Sequence, residues 1–137
     1  MNIAVVYQSR GGNTKKVAEV IARTLHTAAW SVEEVNDLDC DVLILGSAVY
    51  AAKLDKKTKR FIESLDGTSA RRVFLFGTSA GGRKPIGMMK RALDGKGIPV
   101  DEKTLFIPGS FAFMNKGRPN EEDLAKAAAW AKDIIKE

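Results

Sequence analysis

Asn2-Ile3-Ala4-Val5-Val6-Tyr7-Gln8-Ser9-Arg10-Gly11-Gly12-Asn13-Thr14 decides the fold. Its first half is a short apolar run rich in β-branched residues, the composition of a strand covered on both faces. Its second half is a polar, glycine-rich turn. Beyond it, Thr14 to His26 carries Val17, Val20, Ile21, Thr24 and Leu25 at helical spacing. A buried strand that feeds an amphipathic helix through a tight turn is one βα unit, and such units build parallel sheets.

The same alternation continues outward. Thr27 to Trp30 reads as an edge strand. Ser31 with Glu34 three residues later is a capping-box pair, so a stunted helix is expected over Val32 to Leu38. Asp41 to Gly46 is a third strand, and Asp55 is placed to cap a helix whose Phe61, Ile62 and Leu65 face the core, with Gly67 to end it. Arg72 to Gly77 is a fourth strand. Ile86, Met89 and Leu93 mark a helix closing near Gly95, and Thr104 to Ile107 is a fifth strand. Asn120, followed by Glu121, Glu122 and Asp123, caps a last helix with acids at the positive end of its dipole. Leu124, Ala127, Ala128, Ala131 and Ile134 form its buried stripe. No linker or repeat interrupts the pattern, so residues 1–137 are expected to be a single α/β domain, a doubly wound five-stranded parallel sheet between two layers of helices.

Bulk properties narrow the function. At 137 residues the chain can bury a core without staples. No apolar run is long enough to span a bilayer, and no secretory signal is read, so a cytoplasmic location is expected. Cys40 is the single cysteine and His26 the single histidine, which leaves no disulfide, no metal site and no Ser-His-acid arrangement to argue. A net charge of +5 suits a solvated basic surface or an acidic partner. No helix carries a basic stripe with interleaved aromatics, so nucleic acid is not expected to bind. Cys40, Trp30 and Trp130 are expected to pack on the protein body.

Right-handed crossovers place every strand-to-helix loop on one sheet edge, where ligands of doubly wound folds bind. The loop after the first strand, Ser9-Arg10-Gly11-Gly12-Asn13-Thr14, brings hydroxyls, an amide and two glycines to the start of a helix. It fits an anion site built from helix N–H groups, or a turn that merely caps the helix. It is neither a Walker loop nor a dinucleotide fingerprint. The second loop, Ser47-Ala48-Val49-Tyr50-Ala51-Ala52-Lys53, is apolar with one aromatic, as a wall for a flat ring would be. The third, Gly77-Thr78-Ser79-Ala80-Gly81-Gly82, is small and rich in backbone donors and acceptors. Phe111 and Phe113 in the fourth suit either local core or ligand contact.

These segments together resemble the flavodoxin family. Ser9, Gly12 and Thr14 match its phosphate loop, with Gly11 where a hydroxyl residue is usual. Asp41 to Ser47 resembles its third strand entering the first flavin loop, and Phe76-Gly77-Thr78 its fourth strand entering the second. The resemblance implies the strand order 2-1-3-4-5 and the cofactor flavin mononucleotide (FMN). It implies that Ser9 to Thr14 hold the phosphate, that Ala48 to Ala51 flank the isoalloxazine with Tyr50 stacking on it, and that Thr78 to Gly82 bind the pyrimidine edge through backbone groups. Electron transfer to a redox partner protein or a small-molecule acceptor is the implied function. Gly46-Ser47-Ala48-Val49-Tyr50 and the abbreviated second helix are similar to short flavodoxin-domain proteins related to flavin-dependent protoporphyrinogen dehydrogenases, which implies the alternative of an FMN-dependent oxidoreductase acting on a quinone or porphyrinogen-like substrate. A receiver-type signalling domain would need acidic residues after strands one and three, where this chain has Gln8-Ser9 and Ser47-Ala48.

One feature of the ligand-edge loops is electrostatic. Between Gln8 and Thr14, Ser47 and Leu54, Gly77 and Gly87, and Pro108 and Asn120 there is no acid, while Arg10, Lys53, Arg83, Lys84, Lys116 and Arg118 fall inside these stretches. A cationic rim favours an anionic reduced flavin and an acidic partner surface.

Overall fold

Alternating apolar runs become strands here because helices cover both faces of the sheet. The computed structural model describes residues 1–50, 53–80, 84–110 and 116–136, with only the backbone of Tyr50. Its elements run β1 (Ile3–Tyr7), α1 (Asn13–Thr24), β2 (Ala29–Ser31), β3 (Cys40–Tyr50), β4 (Lys53–Leu54), α2 (Lys56–Glu63), β5 (Ala70–Ser79), α3 (Lys84–Leu93), β6 (Leu105–Pro108) and α4 (Glu121–Ile135). Five strands are parallel in the order β2-β1-β3-β5-β6, and the two-residue β4 pairs antiparallel with the end of β3. With β4 set aside, this is the expected 2-1-3-4-5 order.

Two cores lie on opposite faces of the sheet. α1 and α4 cover one, where Val17, Ala18, Ile21, Ala127, Ala131 and Ile134 meet Val5, Ile44, Phe74 and Phe76. α2 and α3 cover the other, packing Phe61, Ile62, Met89 and Leu93 on Val6, Leu43, Leu45, Val73 and Leu75. Alternate residues of β3 and β5 serve the two cores in turn, so Val42 to Leu45 and Val73 to Phe76 are apolar without a break. The core stripe of α1 is centred on Thr14, Val17, Ala18, Ile21 and Ala22. Val20 and Leu25 are only partly buried at its margin.

Several boundaries differ from the sequence reading. The second-loop residues Ser47, Ala48, Val49 and Tyr50 are strand. β3 stays paired in the sheet through Ser47 with Gly77 and Ala48 with Thr78, and its last residues Val49 and Tyr50 pair antiparallel with Leu54 and Lys53. Thr78 and Ser79 likewise still belong to β5. The stunted helix over Val32 to Leu38 is a single turn. The Glu34 half of its capping box forms, with Ser31 N–H donating to Glu34 Oε1 at 2.9 Å, while Ser31 Oγ accepts the Glu33 N–H at 3.2 Å. The turn ends at Glu34, and Asp37 beyond it takes a left-handed φ of 52°, which no continuing α-helix contains. α2 ends at Glu63, before Gly67, and the Ser64 hydroxyl donates to the Phe61 carbonyl at 2.6 Å.

Trp130 packs edge-on against Phe74 and Phe76, as expected. Trp30 does not bury; it is 47% exposed on edge strand β2. Its strand partner Val6 faces the α2/α3 core, but the segment that follows β2 supplies only a turn to cover that margin. Cys40 is buried, and burial together with the carboxylates of Asp41 and Asp39 pushes its thiol up to about 11. That is an inert core cysteine.

Candidate functional site

The site lies at the carboxyl edge of β1, β3, β5 and β6, where α1 starts. Gly12 is the N-cap of α1 at φ 92°, and no side chain caps the helix there. Asn13, Thr14 and Lys15 open the helix, so their N–H groups have no carbonyl one turn back. Lys16 is the first to reach one, donating to the Gly12 carbonyl at 3.0 Å. Ser9 Oγ accepts the Gly12 N–H at 3.0 Å, which keeps the loop tightly wound while leaving the Ser9 hydrogen available. A Cβ on Gly11 or Gly12 would meet no described atom within 4 Å. A helix start without a side-chain cap, approached by two glycines across open space, fits a phosphoryl group.

Cross-links tie this loop to the others. The Asn13 side-chain amide donates to the Ser110 carbonyl at 3.0 Å, and Gly109 N–H donates to the Ser79 carbonyl at 3.2 Å. The Thr14 and Thr78 hydroxyls, both buried, lie 2.6 Å apart. Arg10 Nε donates to Asp55 Oδ2 at 2.9 Å, and the other oxygen of Asp55 accepts the Lys57 N–H at 2.8 Å as the cap of α2. One buried carboxylate therefore fastens the first loop to the helix that follows the second. Ser47 turns inward: it is fully buried, donates to the Ala48 carbonyl at 3.0 Å and lies 2.9 Å from the Thr58 hydroxyl.

These contacts assemble most of the candidate residues. Ser9, Arg10, Gly11, Gly12, Asn13 and Thr14 line one side, with Ala48, Val49 and the backbone of Tyr50 beside them, and Thr78, Ser79 and Ala80 at the end of β5. Ala51, Gly81, Gly82, Phe111 and Phe113, with the Tyr50 side chain, lie outside the described residues. Asp55, Thr58 and Ser110 join the site without having been read from sequence as its members. Asp55 was legible only as a helix cap.

The rim is less cationic than the loops alone indicate. Arg10 is paired with Asp55, and Arg118 donates through Nε and Nη2 to the two oxygens of Asp123 at 2.5 and 2.6 Å. These hydrogen bonds hold the Asp123 carboxyl below its ordinary range and raise the Arg118 guanidinium. Both carboxylates stand just beyond the acid-free stretches in sequence and fold back onto them. Lys53 and Lys84 are exposed and have no carboxylate partner among the described residues, Lys116 is exposed, and Arg83 lies outside them. No group of three or more potential metal ligands occurs among the described residues, and none of their helices is long and apolar enough to cross a membrane.

Comparison with known proteins agrees with this geometry. The model of the flavodoxin domain family matches residues 4–93. An uncharacterised protein of Methanocaldococcus jannaschii is 29% identical over 99% of both chains. Among solved structures, a flavodoxin from the domain Archaea superposes with a TM-score of 0.79 at 22% identity, covering 99% of this chain and 97% of the other. Oxidised flavodoxin 2 from Bacillus cereus gives 0.75 at 20% identity over 99% of each. The chain belongs to the flavodoxin domain family. With that family come FMN as cofactor and electron transfer to a redox partner as function.

Proposed function

We propose that residues 1–137 act as one cytoplasmic FMN-binding domain, with the flavin seated over the ends of β1, β3 and β5. The observation that carries this reading is the N-terminus of α1, open to an anion at a left-handed glycine. Backbone N–H groups of Gly11 and of Asn13 to Lys15, with the Ser9 and Thr14 hydroxyls, would hold the phosphate. Ala48 to Ala51, including Tyr50, would flank one side of the ring, and Thr78 to Gly82 would meet its pyrimidine edge through backbone groups. FMN supplies the electron-carrying ring; the protein's part is to bind, orient and screen it. The purified chain, or its flavin-free form titrated with FMN, is expected to show two visible flavin bands, with FAD binding much more weakly. A colourless protein that takes up no FMN would overturn the reading.

The partner should present an acidic surface, because Lys53, Lys84 and Lys116 remain exposed at the rim. Of the six cations that the loops contain, Arg10 and Arg118 are paired with carboxylates and Arg83 lies outside the described residues, which leaves the three exposed lysines. The remaining cations should raise the flavin's reduction potential by roughly 20–40 mV relative to an acid-rimmed flavodoxin, at a few tenths of a kcal/mol per exposed charge. Salt should shrink that shift. Potentiometric titration at low and high ionic strength checks it, and a strongly negative potential that ignores salt would count against a role for the rim.

A second reading is an FMN-dependent oxidoreductase related to the protoporphyrinogen dehydrogenases. The reduction of the segment after β2 to one turn supports it, alongside the Gly46 to Tyr50 pattern. Turnover of a quinone or a porphyrinogen by the FMN-loaded protein, without any partner protein, would favour this reading over the carrier.

A further inference from the structure

Thr14 and Thr78 stand 64 positions apart in sequence, one in the first turn of α1 and the other at the end of β5, with their hydroxyl oxygens 2.6 Å apart. Each residue is 1% exposed. Among the described residues neither hydroxyl has any other partner. The pair carries two hydrogens, and the contact between them consumes one. The second is a buried donor without an acceptor, an arrangement folded proteins rarely leave unsatisfied.

Which hydrogen is spare follows from where an acceptor can sit. The open N–H groups and dipole of α1 draw an anion to the helix start, beside Thr14. Thr78, on the strand, has no comparable attraction next to it. We propose that Thr78 is a positioning residue for the cofactor phosphate: it donates to Thr14 Oγ1, so that the Thr14 hydrogen is committed to a phosphoryl oxygen. The side chain of Thr78 thus serves the phosphate end, although its backbone lies in the loop expected at the other end of the flavin. The inference rests on the FMN reading above.

The test separates phosphate from ring by comparing FMN with riboflavin, which has the same ring and no phosphate. Flavin-free full-length protein is titrated with each by fluorescence quenching. Thr78→Val, which replaces the hydroxyl with a methyl, should weaken FMN about tenfold, the cost of misdirecting one hydrogen bond to an anion. Riboflavin affinity should change by less than about twofold, since Thr78 would meet the ring only through its backbone groups, which the substitution keeps. Thr78→Ser should restore FMN affinity to within about twofold of the starting protein, because it returns the donor. Thr14→Val should cost more than Thr78→Val, and the double variant no more than Thr14→Val alone, since a relay without its second member has nothing to position. If Thr78→Val does not fold, Thr78→Ala serves for the same comparison. Equal losses for FMN and riboflavin would make the pair merely structural and overturn the relay, as would an unchanged FMN affinity or additive losses. A starting protein that binds neither flavin overturns the FMN reading itself, whereas FMN binding that is indifferent to Thr78 removes only the relay.

Discussion

Replacing Gly46 with alanine is expected to cost about 3 kcal/mol of stability, near the top of the range for overpacking a core. A Cβ there would lie 2.0, 2.1 and 2.5 Å from three ring carbons of Phe76. Gly46 on β3 is the cross-strand partner of Phe76 on β5, so the ring lies flat over the position that a side chain would occupy. The ring has little freedom to yield: Phe76 is fully buried and meets Trp130 edge-on from α4. Urea titration should show a lower midpoint with an unchanged slope, since the same surface is exposed on unfolding. Thermal unfolding should shift downward by roughly 10 °C for a domain of this size. Shortening the ring is the control. Gly46→Ala combined with Phe76→Leu should be clearly less damaging than the sum of the two single changes, because the second relieves the clash made by the first. A Gly46→Ala protein as stable as the original would show that Phe76 can move aside at no cost.

Gly12→Val is expected to weaken FMN binding by about 30- to 100-fold, the equivalent of roughly 2–3 kcal/mol. The reason is conformational and not a clash within the protein, since the space around a Cβ at Gly12 is open. A φ of 92° is easy for glycine and strained for a β-branched residue. Valine either holds the loop at that cost or lets it relax, and a relaxed loop no longer aims the helix-start N–H groups at one point. In addition, its methyls would stand where the phosphate approaches. Riboflavin should bind almost as before, and Gly12→Ala should fall between the two. Titration by flavin fluorescence decides, and an undiminished FMN affinity in Gly12→Val would place the phosphate elsewhere.

Much of the fold was legible because local and global preferences agree in this chain. The runs Ile3 to Tyr7, Val42 to Leu45 and Val73 to Phe76 can only be strands buried on both faces. The helices between them then impose parallel pairing and gather the loops at one edge. Asn120 and Asp55 announce their helices through side-chain oxygens that accept the first N–H groups, a contact spanning two or three residues. The candidate phosphate loop was legible for the same reason, since Ser9, Gly12 and Thr14 lie within one short stretch of chain.

What the sequence pattern could not supply is whatever depends on residues far apart meeting. A valid capping box at Ser31 and Glu34 promised a helix, yet the short return from edge strand β2 to β3 left room for one turn only. Trp30 has the composition of a core residue, and stays exposed because the segment after β2 supplies only a turn to cover it. Arg10 and Arg118 looked like free cations until folding set the buried carboxylates of Asp55 and Asp123 against them. Composition, periodicity and short-range capping therefore determined the class of fold and the sheet edge expected to bind, while the cofactor came from the resemblance to flavodoxins. The pairing of charges and hydroxyls, such as Thr14 with Thr78 across 64 residues, was decided by tertiary structure alone, because a side chain's partner depends on how the sheet brings distant strands together and leaves no periodic trace in the sequence.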